Sequence, residues 1–313
     1  MIINMHIYKA DDKFLIDNKN GSVIALGSFD AMHIAHQRLI KKAVEIAKIN
    51  GLISGVDLFL QRPEWVITGK LTSDCILTNK AKAKVIEECG ADFVYFENFD
   101  KSFMSMSCED FVESLVNRFN IKYAVAGFHY RFGKESKGDI HTLKTLGKQY
   151  GFEVVMLEAV SHDGQIVSST YIRKLIEGGD VKRASDFLGR AYFLEGIVKS
   201  GYKIGRKLGF PTANIEYDKS VIIPHIGVYA TFAYVNGRRY NSITNIGYRP
   251  TFGGDKEITV EAHIIGFEGD IYGDEIKIEF IDKLRDEKKF GSPDELKAQL
   301  NKDIETANAL LIK

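Results

Sequence analysis

Cysteine is scarce in this chain: there are three in 313 residues, Cys75, Cys89 and Cys108, an odd number without CxxC spacing. That excludes a disulfide framework and a structural zinc site, and it fits a reducing compartment. Proline is also scarce, at five, while 45% of the residues are hydrophobic, which excludes a disordered chain. Charge of one sign is not in excess, because 42 basic residues balance 42 acidic ones. No nucleic acid or anionic membrane is therefore expected as a partner, and local basic clusters read as small-anion sites or solvated surface. No apolar run approaches a membrane span and the first residues lack a signal-peptide pattern, so a cytoplasmic protein is expected. What remains is an ordered chain of a length that predicts two domains, each with its own core.

The first 180 or so residues alternate strand and helix signals. Ser22–Leu26 is a short apolar strand, and Leu39, Ile40, Ala43, Val44, Ile46 and Ala47 then recur at helical spacing. Further strands are predicted at Asp92–Phe96, Tyr123–Ala126 and Glu153–Leu157, with helices at Asn79–Glu88, Glu109–Arg118 and His141–Tyr150. This rhythm predicts a parallel sheet covered by helices, with a ligand crevice at the carboxyl ends of its strands. After Leu188 the pattern changes to strands without helices: Phe193–Lys199, Gly227–Val235, Arg239–Ile246, Ile258–Ile265 and Ile276–Phe280. Such a series predicts an antiparallel barrel or sandwich. A closing helix is announced by Ser292 at the N-cap, Pro293 at the first turn and Glu295 in capping-box position. Leu296, Leu300, Ile304, Ala307 and Leu311 give it one apolar face. The boundary is placed near 184–190, which gives domains 1–184 and 185–313.

Three stretches carry chemistry. In GRKLGFPTAN, residues 205–214, Gly205 and Gly209 sit among Lys203, Arg206 and Lys207, ahead of a Pro-Thr-Ala-Asn turn. Glycines let backbone N–H groups approach an anion, and basic side chains add charge where phosphates would lie. Thr212 and Asn214 supply hard neutral oxygens of the kind Mg²⁺ accepts beside nucleotide phosphates. A surface loop would explain the glycines and lysines alone, but not the PTAN that follows. In GSFDAMHIAH, residues 27–36, His33 and His36 fall at a predicted helix N-terminus, where the macrodipole favours an anion. Donors there suit a transfer in which charge grows on α-phosphoryl oxygens. A pair of surface histidines is the plain alternative; zinc is not expected without a third ligand at suitable spacing. The SSTYIR stretch, residues 168–173, adds hydroxyls and Arg173 at another helix start, although serine and threonine there are also ordinary caps. A fourth piece, GFHYRFG at 127–133, ends an apolar strand with aromatics and an arginine, and a strand-to-loop junction explains it nearly as well.

These motifs together resemble those of the bifunctional prokaryotic riboflavin kinase/FMN adenylyltransferase family, the FAD synthetases, over almost the full chain. The C-terminal half carries GRKLGFPTAN, GVYA at 227–230, NIGYRPTFG at 245–253, VEAHII at 260–265 and LRDEKKF at 284–290. The resemblance implies a Rossmann-like nucleotidyltransferase domain followed by an antiparallel β-barrel kinase domain with a C-terminal helix. It implies ATP-dependent conversion of riboflavin to FMN and of FMN to FAD, with Mg²⁺ as cofactor. By resemblance, Gly27, Phe29, Asp30, Ser169, Arg173, Gly205, Lys207, Gly209, Thr212 and Asn214 are nucleotide contacts, Thr212 and Asn214 on the metal side. His33 and His36 would serve adenylyl transfer, Glu261 would be the kinase's general base, and Arg285 and Phe290 would wall the flavin. From the residues alone, Glu261 and His263 would share the polar face of an alternating strand, and Arg285 would pair with a neighbouring acid. Partners are then riboflavin, FMN and ATP, and a homo-oligomer is compatible with that reading.

The N-terminal half departs from the family's pattern. Ala31 and Ala35 replace glycines of GxFDGxHxGH, residues 58–63 read LFLQRP where the family tends toward TFxPHP, and His129 replaces an Asp or Asn. A methyl group at 35 would crowd a nucleotide, and at a positive φ an alanine costs about 1 kcal/mol or more. Two other readings stay open: a kinase whose N-terminal half no longer makes FAD, and a non-catalytic flavin- or nucleotide-binding regulator.

Overall fold

Short apolar strands that alternate with amphipathic helices bury both sheet faces only as a helix-covered parallel sheet. The computed structural model describes residues 5–10, 12, 19–72, 74–200, 209–250 and 256–311, and it divides into two compact units, Met1–Ser169 and Thr170–Lys313. The first unit holds strands β1 (His6–Lys9), β2 (Ser22–Leu26), β3 (Ile53–Phe59), β4 (Phe93–Glu97), β5 (Ile121–Gly127) and β6 (Glu153–Leu157). All are parallel, in the order β1-β4-β3-β2-β5-β6. Succession from β2 runs outward to β3 and β4 on one side, then reverses to β5 and β6 on the other. The carboxyl ends of β2 and β5 therefore flank a topological switch point, where such sheets bind ligands.

Helices cover this sheet as the periodicity predicts. Helix α1 (Ile34–Asn50) packs on β2, β3 and β5 and buries the six residues named from spacing. After the short α2 (Pro63–Thr68) come α3 (Asn79–Glu88), α4 (Lys101–Ser105), α5 (Cys108–Phe119) and α6 (Ile140–Tyr150). Ile24 and Leu26 join Phe111, Val112, Leu115, Phe119, Leu143 and Leu146 in one core. The equally buried Val23 and Ala25 are left for the α1 face. A hairpin, β7 (Ser161–His162) and β8 (Gln165–Ile166), follows β6. Strand β3 escaped the sequence reading because Gly55 and Asp57 interrupt its apolar run. Gly55 is there for packing: a Cβ would lie 2.1 Å from the Phe93 ring.

The second unit opens with α7 (Ser169–Glu177), whose first residue closes the first unit, and α8 (Val181–Leu188), which packs on strands β9 (Tyr192–Lys199) and β14 (Glu275–Arg285). With β10 (Ala213–Tyr217), β11 (Gly227–Val235), β12 (Arg238–Pro250) and β13 (Lys256–Ile264) these form a closed antiparallel barrel, in the order β10-β13-β12-β11-β14-β9. The turn expected over Pro211–Asn214 is the entry to a strand instead. Ala213 and Asn214 pair with Ala262 and Glu261, because β13 offers a free edge and a buried backbone takes any ladder within reach. Thr231, Ser242 and Thr244 are fully buried and satisfy one another inside the barrel, with hydroxyl oxygens 2.6 and 2.8 Å apart.

Strand β11 is apolar except at Thr231 because both its faces are covered. The last helix, α9 (Pro293–Leu311), lies on it, packing Leu300, Ile304, Ala307 and Leu311 against Val228, Ala230, Phe232 and Ile243. Ser292 caps α9 as expected, accepting from the Glu295 N–H at 3.2 Å. The Glu295 carboxylate reaches past the cap to the Gly291 N–H at 2.9 Å. One acid sits on the apolar stripe: Asp303, 4% exposed, accepts from Arg285 Nε at 3.0 and 3.1 Å and from its Nη2 at 2.8 Å. Removing one partner of a buried pair strands the other's charge. Asp303→Ala is therefore expected to cost about 3 kcal/mol, read as a lowered chemical-denaturation midpoint; loss below about 0.5 kcal/mol would mean the pair is as weak as a surface one.

Candidate active sites

In the first unit the GSFDAMHIAH segment leaves β2 at the switch point and enters α1. Its turn is strained at Phe29 and Met32, both non-glycine residues at φ 48° and both fully buried. Each costs about 1–2 kcal/mol in that conformation, so the packing of their side chains must hold the turn. The strain expected at Ala31 and Ala35 is absent, since neither has positive φ and Ala35 lies within α1. The Phe29 ring lies over Gly27, 3.1 Å from where a Cβ would be, and 5.2 Å from the His36 ring.

His33 is the N-cap of α1. Its Nδ1 accepts the His36 backbone N–H at 3.2 Å, which puts the proton of a neutral ring on Nε2. The two histidine rings stack 3.6 Å apart at 15°. Asp30, 8% exposed, lies within the electrostatic field of Arg62, Cys75 and Lys82. Burial holds the Lys82 ammonium below its ordinary value, with Asp30 opposing, and burial pushes the Cys75 thiol up to about 11. Arg62, which stands where the family has histidine, occupies the N-cap position of α2 without a side-chain hydrogen bond there, and pairs with Asp74 at 2.6 Å. Sequence reading missed Lys82, a lone cation among the buried Ala81, Ala83, Val85 and Ile86 of α3. Ser169 and Arg173 stand one turn apart on α7, a spacing that shares a helix face.

A second group missed by sequence lies at the carboxyl half of β3. Asp57 pairs in register with Tyr95, and its Oδ1 is sealed from solvent without a hydrogen-bond partner among the described residues. Glu97 forms a tight ion pair with Arg118, whose guanidinium lies 4.6 Å above the Tyr95 ring. Burial pushes the Asp57 carboxyl up to about 8, Glu97 adds to this and Arg118 opposes it. The Tyr130 hydroxyl is raised too, by burial and then by Asp57.

In the second unit the site lies on the outer face of the barrel. Along β13 the buried Val260, Ala262 and Ile264 point inward, which leaves Glu261 and His263 outside. Asn214 on β10 pairs with Glu261, and so does Asn245 on β12 from the other side. The Thr212 hydroxyl reaches the Glu261 carboxylate at 3.5 Å. His263 Nδ1 lies 2.8 Å from the Pro211 carbonyl oxygen, which can only accept, so this nitrogen carries the proton and ties the PTAN segment down. The barrel thus gathers Thr212, Asn214 and Glu261. Gly209 takes φ 87°, the conformation a glycine permits; Gly205 and Lys207 lie outside the described residues. Arg285 and Phe290 also meet, guanidinium to ring centroid 5.7 Å, with Arg285 held by Asp303. Asp303 could have been found in the sequence as the one acid on the apolar stripe of α9.

An α/β unit with a histidine-bearing turn at its switch point, followed by a barrel presenting a carboxylate among neutral oxygens, defines a two-part nucleotide-handling enzyme architecture. The chain belongs to the bifunctional riboflavin kinase/FMN adenylyltransferase family. A FAD synthetase family model matches residues 15–171 and a riboflavin kinase family model residues 188–311. The bifunctional enzyme of Bacillus subtilis is 38% identical over 91% of each chain, and that of Listeria monocytogenes 35% identical over 93% of each. A solved structure from Streptococcus pneumoniae, described as a macrolide-efflux protein, shares the fold with a TM-score of 0.89 at 30% identity, covering 97% of this chain and 99% of that one. Among the described residues no helix is long and apolar enough to cross a membrane.

The Asp57 carboxyl yields a pH dependence with a definite sign. Its folded pKa of about 8 lies above the ordinary 3.8, so the stability tied to its proton is present below about pH 4 and is lost as pH rises through 8. Asp57→Asn should remove that loss, making the variant more stable than the parent at pH 8.5 by at least about 1.4 kcal/mol, the equivalent of one pKa unit. Parallel stability-versus-pH curves for the two proteins between pH 4 and 9 would contradict it.

Proposed function

We propose that this chain phosphorylates riboflavin to FMN on its barrel and adenylylates FMN to FAD on its α/β unit. The functional division is taken at 184/185, with Ser169 and Arg173 of α7 serving the adenylyl site. The observation that carries the kinase reading is the cross-strand row Asn214–Glu261 with Thr212 beside it, a carboxylate flanked by hard neutral oxygens.

In the kinase step Glu261 takes the proton of the ribityl 5′-hydroxyl as that oxygen attacks the γ-phosphorus of ATP. The bond to the β–γ bridging oxygen breaks, and ADP leaves. The contribution of Glu261 depends on its carboxylate being held against the alcohol. The Thr212 hydroxyl and Asn214 amide oxygen fit Mg²⁺ in type, and the rest of its shell would come from phosphate oxygens and water. When bound, Mg²⁺ supplies charge neutralisation on the phosphates. Gly209, with Gly205 and Lys207, would bring backbone N–H groups and a cation to them. Arg285 and Phe290 would face the isoalloxazine ring with guanidinium and aromatic planes.

Adenylyl transfer needs no general base, since the FMN phosphate is already an anion. Its oxygen attacks the α-phosphorus of ATP and pyrophosphate departs. The His33 Nε2–H, His36 and the α1 N-terminus would stabilise the developing charge, with Arg173 and Ser169 contributing further donors. Gly27, Phe29 and Asp30 shape the turn that carries them.

The test is incubation of the full chain with riboflavin, ATP and Mg²⁺, followed by separation of FMN and FAD. Both should appear; FMN without FAD would reduce the α/β unit to a structural role. Glu261→Ala should lower riboflavin phosphorylation by about 10²–10⁴-fold while FAD formation from supplied FMN persists. Near-parental FMN production in that variant would remove Glu261 from its role. Because Ala31 and Ala35 carry no backbone strain, replacing both with glycine should not accelerate FAD formation, and glycine at 35 should cost about 0.5–1 kcal/mol of stability. A marked gain in rate would place crowding by these methyl groups back in the mechanism.

A further inference from the structure

The outer face of the barrel carries one row of directly opposed residues that reaches beyond the proposed base. Asn214 pairs with Glu261, Glu261 with Asn245, Asn245 with Val228, and Val228 with Arg285. At Val228 helix α9 covers the row, since Val228 packs with Ala307 and Leu311. The open part of the row is therefore Asn214, Glu261 and Asn245, and it ends on a half-buried amide with no role in the chemistry so far described.

The neighbourhood of Asn245 is polar and shaped by an absent side chain. A Cβ on Gly247, two residues further along the same strand face, would lie 3.1 Å from Asn245 Nδ2 and 2.6 Å from Glu287 Oε1. Glu287 belongs to the segment between Arg285 and Phe290, so the bare Gly247 brings that segment down beside Asn245. Opposite Gly247, the Thr259 hydroxyl donates to the Gly247 carbonyl oxygen at 3.4 Å. Neighbouring strands are about 4.8 Å apart, so Asn245 stands one strand from Glu261 on the way to Glu287 and Phe290. A flavin that presents its 5′-hydroxyl to Glu261 and its ring to Phe290 must lay its hydroxyl-bearing chain across this position.

We propose that Asn245 is a specificity-determining residue that recognises the ribityl chain of riboflavin, its side-chain amide donating to and accepting from the hydroxyls between ring and phosphorylated end. An asparagine suits a polyol because it offers both a donor pair and an acceptor on one small group. The neutral amide also adds no charge beside Glu261, whereas an acid there would raise the base's affinity for its proton. This inference rests on the kinase reading of the same face.

The test separates recognition of the chain from recognition of the ring. Riboflavin phosphorylation by the full chain is measured as FMN plus FAD, and lumiflavin, which has the same ring and a methyl group in place of the ribityl chain, is used as a competing inhibitor. For Asn245→Ala and the volume-keeping Asn245→Leu, the KM for riboflavin should rise about tenfold, the worth of a lost hydrogen bond. The lumiflavin inhibition constant should stay within about twofold of the parent's, a shift well under 1 kcal/mol. A retained lumiflavin inhibition constant reports that the barrel of the variants is folded, and FAD formation from supplied FMN reports the same for the α/β unit. Equal weakening of riboflavin and lumiflavin would mean that Asn245 merely supports the barrel face, and no change in either would mean that the chain passes elsewhere; both overturn the proposal. A parent protein that never phosphorylates riboflavin would instead overturn the kinase reading itself.

Discussion

Closure of the six-stranded barrel is the constraint on which the C-terminal half depends. Once β9 and β10 pair, no edge remains, and strand alternation forces every residue either into the barrel or onto its surface. The interior is filled by Tyr229, Ile246, Ala262, Ile278, Phe280 and their neighbours, with Thr231, Ser242 and Thr244 bonded among themselves. Among the described residues these interior hydroxyls are bonded to one another, and the proposed chemistry lies on the outer face. The same alternation that hides Val260 and Ala262 exposes Glu261 between Asn214 and Asn245. Helix α9 then closes part of that outer face, and its buried Asp303 fixes Arg285 at the covered end of the row.

The α/β unit handles phosphate by a different device. Its sheet is covered by helices, so the strand ends are what is available, and the turn after β2 carries the donors proposed to act there. Two left-handed residues, Phe29 and Met32, hold that turn in a conformation that neither would choose alone. Both are fully buried, which is where the compensation lies. His33 is spent partly on capping α1, and the hydrogen bond that does so selects the tautomer that presents Nε2–H. Structure and proposed chemistry thus share one side chain.

Much of this was legible in the residues. The helix α1 stripe, the bounds of β2, α3, β6 and β11, and the cap and face of α9 follow from periodicity and capping chemistry, which are local. Strand β3 was hidden by Gly55 and Asp57, whose presence makes sense only beside Phe93 and Tyr95 of a strand far along the chain. Strand β10 looked like a turn because Pro211 and Asn214 favour one, and only the edge of β13 converts it to a ladder. Lys82 on α3 and Asp303 on α9 were visible as charges on buried faces, although their partners were not. The positive φ that would have strained an alanine falls on Phe29 and Met32 instead, because the backbone path of a turn is set by what its side chains pack against.

Residue order was enough to establish two domains, their fold classes, the motif positions and the family resemblance, since each depends on local spacing and residue type. Only the folded chain could bring Thr212, Asn214 and Glu261 into one group, place Asn245 opposite Glu261, and join Arg285 to Asp303. Those relations arise from register between strands distant in sequence, and register is settled by burial across the whole barrel rather than by any one segment.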